Sequence, residues 1–350
     1  MTHPEKTPVD QAGTRRHLLS LASLSDGELH QLITRSQEYA ASPATNVRPL
    51  AGCVIGSYFK VTSTRTRTAF SSGAARLGAT VIAYGPGDLQ LNTGETLGDT
   101  GEVMSRMLDG LVARTAGDPA DLQALSAQRR MSVVNAMTAD EHPTQAICDL
   151  ATMGQQFGQV AGIRCLYVGE GNNTAAALAL ALSRFKGARL DLRTPPGYGL
   201  DPGKLALAAA AAQRHGAHVE ERHDLDTLPT DVDVIYTTRW QTTGTAKPDP
   251  NWRDVFAPFR VTSGLLERYP RAAFMHDLPA HRGEEVERAV LDGPASIAFQ
   301  QAGNKLFSAM AVLEWCVSGP ADRGRPDPAE MQLVTASAGT DRATSEVLNR

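Results

Sequence analysis

The run of side chains best suited to chemistry in this chain is Ser63-Thr64-Arg65-Thr66-Arg67, which sits where a strand gives way to a helix. Backbone N–H groups at such a junction, backed by the positive end of the helix, favour an anion. Arginine adds a planar fork that clasps phosphate oxygens with two parallel bonds. The chemistry implied is phosphate binding, and the plain alternative is a solvated polar loop that happens to hold two arginines. Two other segments bear on the choice. Arg114 follows the apolar run Leu111-Val112-Ala113, and His142-Pro143-Thr144-Gln145 opens a helix after the strand Val133-Val134-Asn135. In an open α/β sheet, ligands collect at the carboxyl ends of the strands. All three segments then converge on one spot, and a His, an Arg and a Gln beside an arginine-rich loop form a donor-rich site rather than separate structural residues.

The elements that must position these groups alternate. Ser25-Asp-Gly-Glu28 has the form of a capping box, and Leu29, Leu32 and Ile33 follow at helical spacing. Residues 52–59 read as a buried strand and 69–77 as a helix; 79–84 is a strand, 96–108 a helix, 110–114 a strand, and a helix starts near His142. A second series follows, with strands at 164–168, 189–192 and 234–237 and helices at 174–185 and 203–215. The spacing places a last apolar helix over 305–317. This rhythm predicts an α/β fold built on parallel sheets covered on both faces, with a boundary near residue 150. Residues 1–14 and 319–350 are polar and read as loose ends.

Composition narrows the field. A chain of 350 residues fits two domains, since single cores stop growing at around 250 residues. With 34 basic and 38 acidic residues, a net charge of −4 and no basic block, nucleic acid is excluded as a partner. Cys53, Cys148, Cys165 and Cys316 lie far apart, with no spacing for a zinc site, and read as buried thiols in a reducing compartment. The N-terminus has no apolar core of the signal-peptide kind. The longest greasy stretch, residues 175–182, is shorter than the ~20 residues a membrane span needs. The expectation is a cytoplasmic protein with no membrane partner.

Ser63-Thr-Arg-Thr-Arg67, His142-Pro-Thr-Gln145 and His276-Asp-Leu-Pro279 with Arg282-Gly-Glu-Glu-Val286, in that order, resemble the aspartate and ornithine carbamoyltransferase family over residues 15 to 318. The resemblance implies two doubly wound domains joined by interdomain helices. Residues 15–150, completed by a returning helix 305–318, would bind carbamoyl phosphate. Residues 151–304 would bind the amine acceptor, and 319–350 would form a flexible tail. It also implies a homo-oligomer, a trimer or a multiple of trimers. By the motif match Ser63, Thr64, Arg65, Thr66 and Arg114 hold the phosphate, and His142, Gln145 and Arg114 hold the carbamoyl end, with Leu278 and Lys305 completing that site. The catalytic set is Arg65, Arg114, His142 and Asp277, with no metal or cofactor. A neutral amine attacks the carbamoyl carbon while fixed donors stabilise the oxyanion, and direct transfer needs no covalent intermediate.

Signals for the acceptor are mixed. Gly169-Glu-Gly-Asn-Asn173 resembles the ornithine branch, where Asn173 would bind the amino-acid part; a lone GxG is a poor dinucleotide fingerprint. Asp277 stands where that branch has a cysteine, and a carboxylate there favours a cationic acceptor. Thr238 replaces an expected acid. Arg239 and Gln241 instead resemble the aspartate branch, as does Phe299-Gln-Gln-Ala-Gly-Asn304. The loop 89–94 lacks that branch's lysine. The reading favoured is transfer to ornithine or a related diamino acid, giving citrulline or a ureido homologue, with Asn173, Arg239, Gln241, Asp277 and Leu278 around the acceptor. Aspartate is the second reading, and a noncatalytic amino-acid or phosphate sensor the third.

Overall fold

A computed structural model describes residues 15–43, 47–242 and 244–318. The expectations for residues 1–14 and 319–350 lie outside the described residues. The elements in order are α1 (Asp26–Ala41), β1 (Val54–Phe59), α2 (Thr64–Arg76), β2 (Thr80–Tyr84), α3 (Leu97–Met104), β3 (Gly110–Arg114), α4 (Pro119–Leu125), β4 (Ser132–Met137), α5 (Pro143–Phe157), β5 (Arg164–Val168), α6 (Asn173–Leu182), β6 (Arg189–Arg193), α7 (Pro202–His215), β7 (His218–Arg222), β8 (Val234–Thr237), α8 (Trp252–Phe256), α9 (Ser263–Arg268), β9 (Ala273–His276), α10 (Arg288–Leu291) and α11 (Ala298–Val317). No helix among the described residues is long and apolar enough to cross a membrane.

The strands form two sheets, ordered β2-β1-β3-β4 and β7-β6-β5-β8-β9, and every pairing is parallel. Strands β3, β4, β8 and β9 are buried at every residue, as a parallel sheet covered on both faces requires. In each sheet the strand order reverses at one place, between β1 and β3 in the first and between β5 and β8 in the second. A crevice opens at such switch points, on the carboxyl side of the strands.

Helices α5, α6 and α11 hold the two sheets together. Helix α6 is buried at all ten of its residues, which its Ala/Leu composition permits, and it packs between α5 and α7. Helix α11 lies against α1, α2 and α5 of the first half while its N-terminal end reaches β9 of the second. Glu314 near its end accepts from Arg35 Nε at 2.7 Å and Tyr39 Oη at 2.9 Å, and Ser132 donates to the Cys316 carbonyl at 2.8 Å. At α1, Ser25 and Glu28 make both bonds of the capping box that their spacing specifies. All four cysteines are buried and none forms a disulfide.

Several elements depart from the sequence expectation. Strand β7, His-Val-Glu-Glu-Arg, carries polar residues because it is an edge. Strand β9 has only four residues, too few to show a period. Helix α11 begins seven residues before Lys305, since Gln300, Gly303 and Asn304 interrupt the apolar pattern there. Helix α3 ends at Met104 rather than at 108. Helices α3 and α4 touch through a glycine. A Cβ at Gly101 would lie 2.7 Å from the Leu125 carbonyl oxygen, inside any real contact. Gly101→Ala is therefore expected to lower the unfolding free energy by about 1–3 kcal/mol, despite alanine's better helix propensity, as a shift in the urea midpoint.

Candidate functional site

A cavity of about 570 Å3 lies between the carboxyl edges of the two sheets. Ser63, Thr64, Arg65, Thr66, Arg114, His142, Gln145, Asn173, Arg239, Gln241, Asp277, Leu278 and Lys305 all line it. The first half supplies three strand-to-helix turns. Ser63 is the N-cap of α2, and Thr64 to Thr66 form its first turn, so their backbone N–H groups have no partner within the helix. Arg114 ends β3, where a register shift against β4 displaces the chain at this residue. His142 is the N-cap of α5, with Gln145 three residues on. Arg67 takes no part: it is exposed, and its guanidinium lies over the Phe59 ring at 5.0 Å. Helical spacing explains the difference, because Arg65 and Arg67 point to different faces.

These groups form a dense field of donors. Arg114 Nη1 lies 3.3 Å from His142 Nε2, and its buried Nε has no hydrogen-bond partner. A buried guanidinium donor left unpaired is costly unless a ligand takes it up. Burial, reinforced by Arg65, pushes Arg114 down to about 10 despite the nearby Asp277, so it remains a cation at neutral pH. Burial, with Arg114 and Lys305 adding repulsion, holds His142 well below the ordinary histidine range, so its imidazole is neutral. Since arginine only donates, Nε2 accepts from Arg114, and the ring proton sits on Nδ1, 3.4 Å from Thr144 Oγ1.

The second half brings the carboxylate. Asp277 follows β9; Thr238 Oγ1 donates to its Oδ1 at 2.9 Å and Thr174 Oγ1 to its Oδ2 at 3.0 Å. Burial alone would raise this carboxyl; the adjoining His276, the charge of Lys305 and the hydrogen bond from Thr238 outweigh it and hold the group below its usual range. Leu278, next in the chain, has φ of +55°, a left-handed conformation costing a branched residue of this kind about 1–3 kcal/mol. Its N–H donates to His276 Nδ1 at 2.8 Å. Asn173 starts α6, and its side chain donates to the Thr138 carbonyl at 2.7 Å. Arg239 Nε donates to the Gln241 carbonyl at 2.6 Å, and Gln241 Nε2 to the Thr245 carbonyl at 2.8 Å, so both side chains brace their own loop.

That loop is latched by Lys247. Its ammonium, almost fully buried, lies 4.5 Å from the Tyr198 ring and 4.6 Å from that of Phe256, and pairs with Glu170 at 2.5 Å. Glu170 also accepts from Thr242 Oγ1 at 3.1 Å, tying the loop after β8 to the loop after β5.

Other residues reach the cavity that were not singled out as site candidates. Asn172, Thr174, Thr242, Arg253, His281 and Glu284 also line the cavity. Behind Gln145 lies Asp149, wholly buried, which accepts from Gln145 Nε2 at 2.7 Å, Gln301 Nε2 at 2.7 Å and Tyr236 Oη at 3.0 Å. The available signal was an acid one helical turn after Gln145, inside the otherwise apolar run Ala146 to Ala151. Burial pushes Asp149 up to about 7, although its hydrogen bonds and Lys305 pull it down.

A carboxyl whose pKa is higher folded than unfolded binds its proton more tightly in the native state, so it subtracts stability as pH rises from about 4 to about 7. The uncharged amide of Asp149→Asn lacks this dependence. Over that window the variant is expected to gain stability relative to the wild type, by up to about 4 kcal/mol, in urea unfolding curves taken at each pH.

Comparison with known proteins agrees with this geometry. The sequence profile of the aspartate/ornithine carbamoyltransferase carbamoyl-P binding domain matches residues 16–155, and that of the family's Asp/Orn binding domain matches 161–316. The ornithine carbamoyltransferase of Symbiobacterium thermophilum is 37% identical over 301 residues, covering 85% of this chain and 96% of its own. That of Thermococcus kodakarensis is 38% identical over 273 residues, covering 78% and 86%. The structure of ornithine carbamoyltransferase from Pyrococcus furiosus superposes with a TM-score of 0.82 at 34% identity, covering 87% of this chain and 98% of that one. Two parallel-sheet domains, a shared cavity and sequence likeness over nearly the whole described chain thus agree: the chain belongs to the aspartate/ornithine carbamoyltransferase family.

Proposed function

We propose that the protein transfers the carbamoyl group of carbamoyl phosphate to the side-chain amine of ornithine or a closely related diamino acid, giving citrulline or its homologue and phosphate. The observation that carries this reading is the placement of Asp277 in the same cavity as the donors of α2, Arg114 and His142. Residues 15–150 with 305–318 are the carbamoyl phosphate half, and 151–304 the acceptor half. Ser63, Thr64, Arg65, Thr66 and Arg114 hold the phosphate. Gln145, His142 and Arg114 hold the carbamoyl end, beside Leu278 and Lys305.

The acceptor's nitrogen attacks the carbamoyl carbon, the C–O bond to phosphorus breaks, and the oxygen that gains charge faces Arg114, His142 and Thr66. Because the His142 imidazole is neutral, surrounded by cations and engaged at Nε2 by Arg114, it orients that guanidinium rather than acting as a base. Asp277, held acidic, is a weak base at neutral pH. It binds and aligns the acceptor's ammonium, which gives one proton to solvent to become the attacking amine; the departing phosphate then takes the second proton, which the nitrogen loses as the C–N bond forms. Asn173 and Leu278 flank the acceptor. Aspartate is the poorer fit, since an Asp277 carboxylate repels a second carboxylate and Arg239 and Gln241 are engaged within their loop.

The working unit of this proposal is a trimer or a multiple of trimers. Strand β2 is exposed at Thr80, Ile82 and Ala83, on both of its faces, unlike its neighbour β1, and Ile82, Val103 and Met107 are large exposed apolar side chains in the same half. Parallel sheets are rarely left uncovered, so a second copy is the natural cover.

Release of phosphate from carbamoyl phosphate, measured with ornithine, lysine, diaminobutyrate, diaminopropionate, putrescine and aspartate offered separately, tests the reading. A diamino acid should accelerate release and aspartate should not. Preference for aspartate would transfer the specificity to Arg239 and Gln241. No acceleration by any of them would favour a sensor. Arg65→Ala should lower kcat/KM by about 10²–10³. Asp277→Asn should raise KM for the acceptor on the order of tenfold while KM for carbamoyl phosphate holds.

A further inference from the structure

The buried polar cluster behind the cavity has a direction built into it. The backbone N–H of His276, which cannot be turned round, donates to Gln301 Oε1 at 2.9 Å. The other end of that amide, Nε2, must therefore face Asp149, and it donates to Oδ1 at 2.7 Å. The same Oδ1 accepts from Gln145 Nε2 at 2.7 Å. A carboxylate accepts and does not donate, so only the nitrogen end of Gln145 can lie against it. The oxygen end, Oε1, is left pointing at the cavity, where Lys305 Nζ donates to it. Tyr236 Oη fills the remaining side of Asp149, donating to Oδ2 at 3.0 Å. All of these side chains but Lys305 are buried to 1% exposure or less, so water cannot substitute for a lost partner.

We infer that Asp149 is a positioning residue that fixes the amide polarity of Gln145, and that this polarity selects a transferable group carrying an N–H, the carbamoyl NH2, over a group of the same shape without one, such as acetyl. The inference rests on the proposal that Gln145 faces the carbamoyl end of the substrate. An acceptor oxygen held at that place gains a hydrogen bond from a carbamoyl NH2 and is desolvated without return by a methyl group. Sites built to bond a substrate N–H reject analogues lacking it far better than apolar pockets reject a missing methylene. If the Gln145 amide could turn over, its own NH2 would meet the carbamoyl NH2, and the preference would be lost. Asp149 opposes this without touching the substrate, together with Lys305 Nζ, which can only donate and so also demands the oxygen end of the amide; the chain Asp149–Gln301–His276 anchors Asp149 to β9 in the other half of the molecule.

The experiment measures KM for carbamoyl phosphate and the inhibition constant of acetyl phosphate against it, at about pH 8 where Asp149 is ionised, in the full-length protein. The ratio of the two constants is the readout, and thermal unfolding together with inhibition by inorganic phosphate reports whether the fold and phosphate cradle are intact. Asp149→Leu removes the acceptor and should lower the ratio by on the order of tenfold, with phosphate inhibition unmoved. Asp149→Asn keeps an oxygen at Oδ1, because Gln301 still demands one, and should keep the ratio within about twofold. Tyr236→Phe loosens the cluster without freeing Gln145 and should also keep it.

If Asp149→Leu does not fold, the pair Asp149→Asn and Gln301→Met decides. Each alone should hold the ratio, and together, with the Asn amide now unanchored, they should lower it as Asp149→Leu would have done. An unchanged ratio in folded Asp149→Leu, or in that double variant, overturns the inference, as does a fall in Asp149→Asn alone, which would assign the effect to charge. Gln145→Met separates the underlying reading: an unmoved KM for carbamoyl phosphate would remove Gln145 from the carbamoyl group altogether, whereas a raised KM with a constant ratio in Asp149→Leu would leave that reading standing and reject only the polarity chain.

Discussion

The cavity is arranged around one electrostatic demand, the gathering of Arg65, Arg114 and Lys305 in one partly enclosed space. Burial disfavours each charge, and the pKa of all three is lowered accordingly. They are kept together because they sit on separate rigid elements, α2, β3 and α11, and because Asp277 and Asp149 supply opposite charge nearby. The same arrangement would let a bound anion relieve the repulsion.

The two-sheet architecture follows from that demand. A single switch point collects residues from the ends of three or four strands. Two sheets facing each other across one cavity double that number and divide the work, with cations and helix N-termini on one side and the carboxylate on the other. The helices that cross between them carry the coupling. Gln301 and Lys305 stand one helical turn apart on α11, and each reaches an α5 residue of the site, Asp149 and Gln145 respectively. A shift of α11 would disturb both.

Electrostatics also separates the roles of otherwise similar groups. His142 and His276 are both buried, yet the first faces cations and is neutral, whereas the second lies between Asp277 and Glu285, two carboxylates that raise its pKa against the effect of burial. Asp149 and Asp277 are both held among donors, but Asp149 is the more deeply enclosed and titrates near neutrality, while Asp277 stays ionised. In each pair the residue type is the same and the surroundings set the function.

The alternation of strands and helices, the donor-rich turn at Ser63 to Thr66, and the convergence of Arg114 and His142 on it were legible in the amino-acid sequence, because each depends on a local pattern: an apolar strand, a polar turn, a helix start. The resemblance pointed to residues of the second half, Asp277 among them, and to Lys305, and the fold brings these to the same cavity. What tertiary structure alone decided was pairing at a distance. Arg67 lies outside the site because the helix turns it onto Phe59. Arg239 and Gln241 brace their own loop because of that loop's path. Thr238 and Thr174, unremarkable as types, become the donors that hold Asp277. Asp149, which reads as an oddity on an apolar helix, becomes the acceptor that orients Gln145, through partners more than eighty residues away in sequence. Spacing along a chain reports neighbours within a turn or a strand; the direction of a hydrogen bond between remote side chains is fixed only when packing has brought them together.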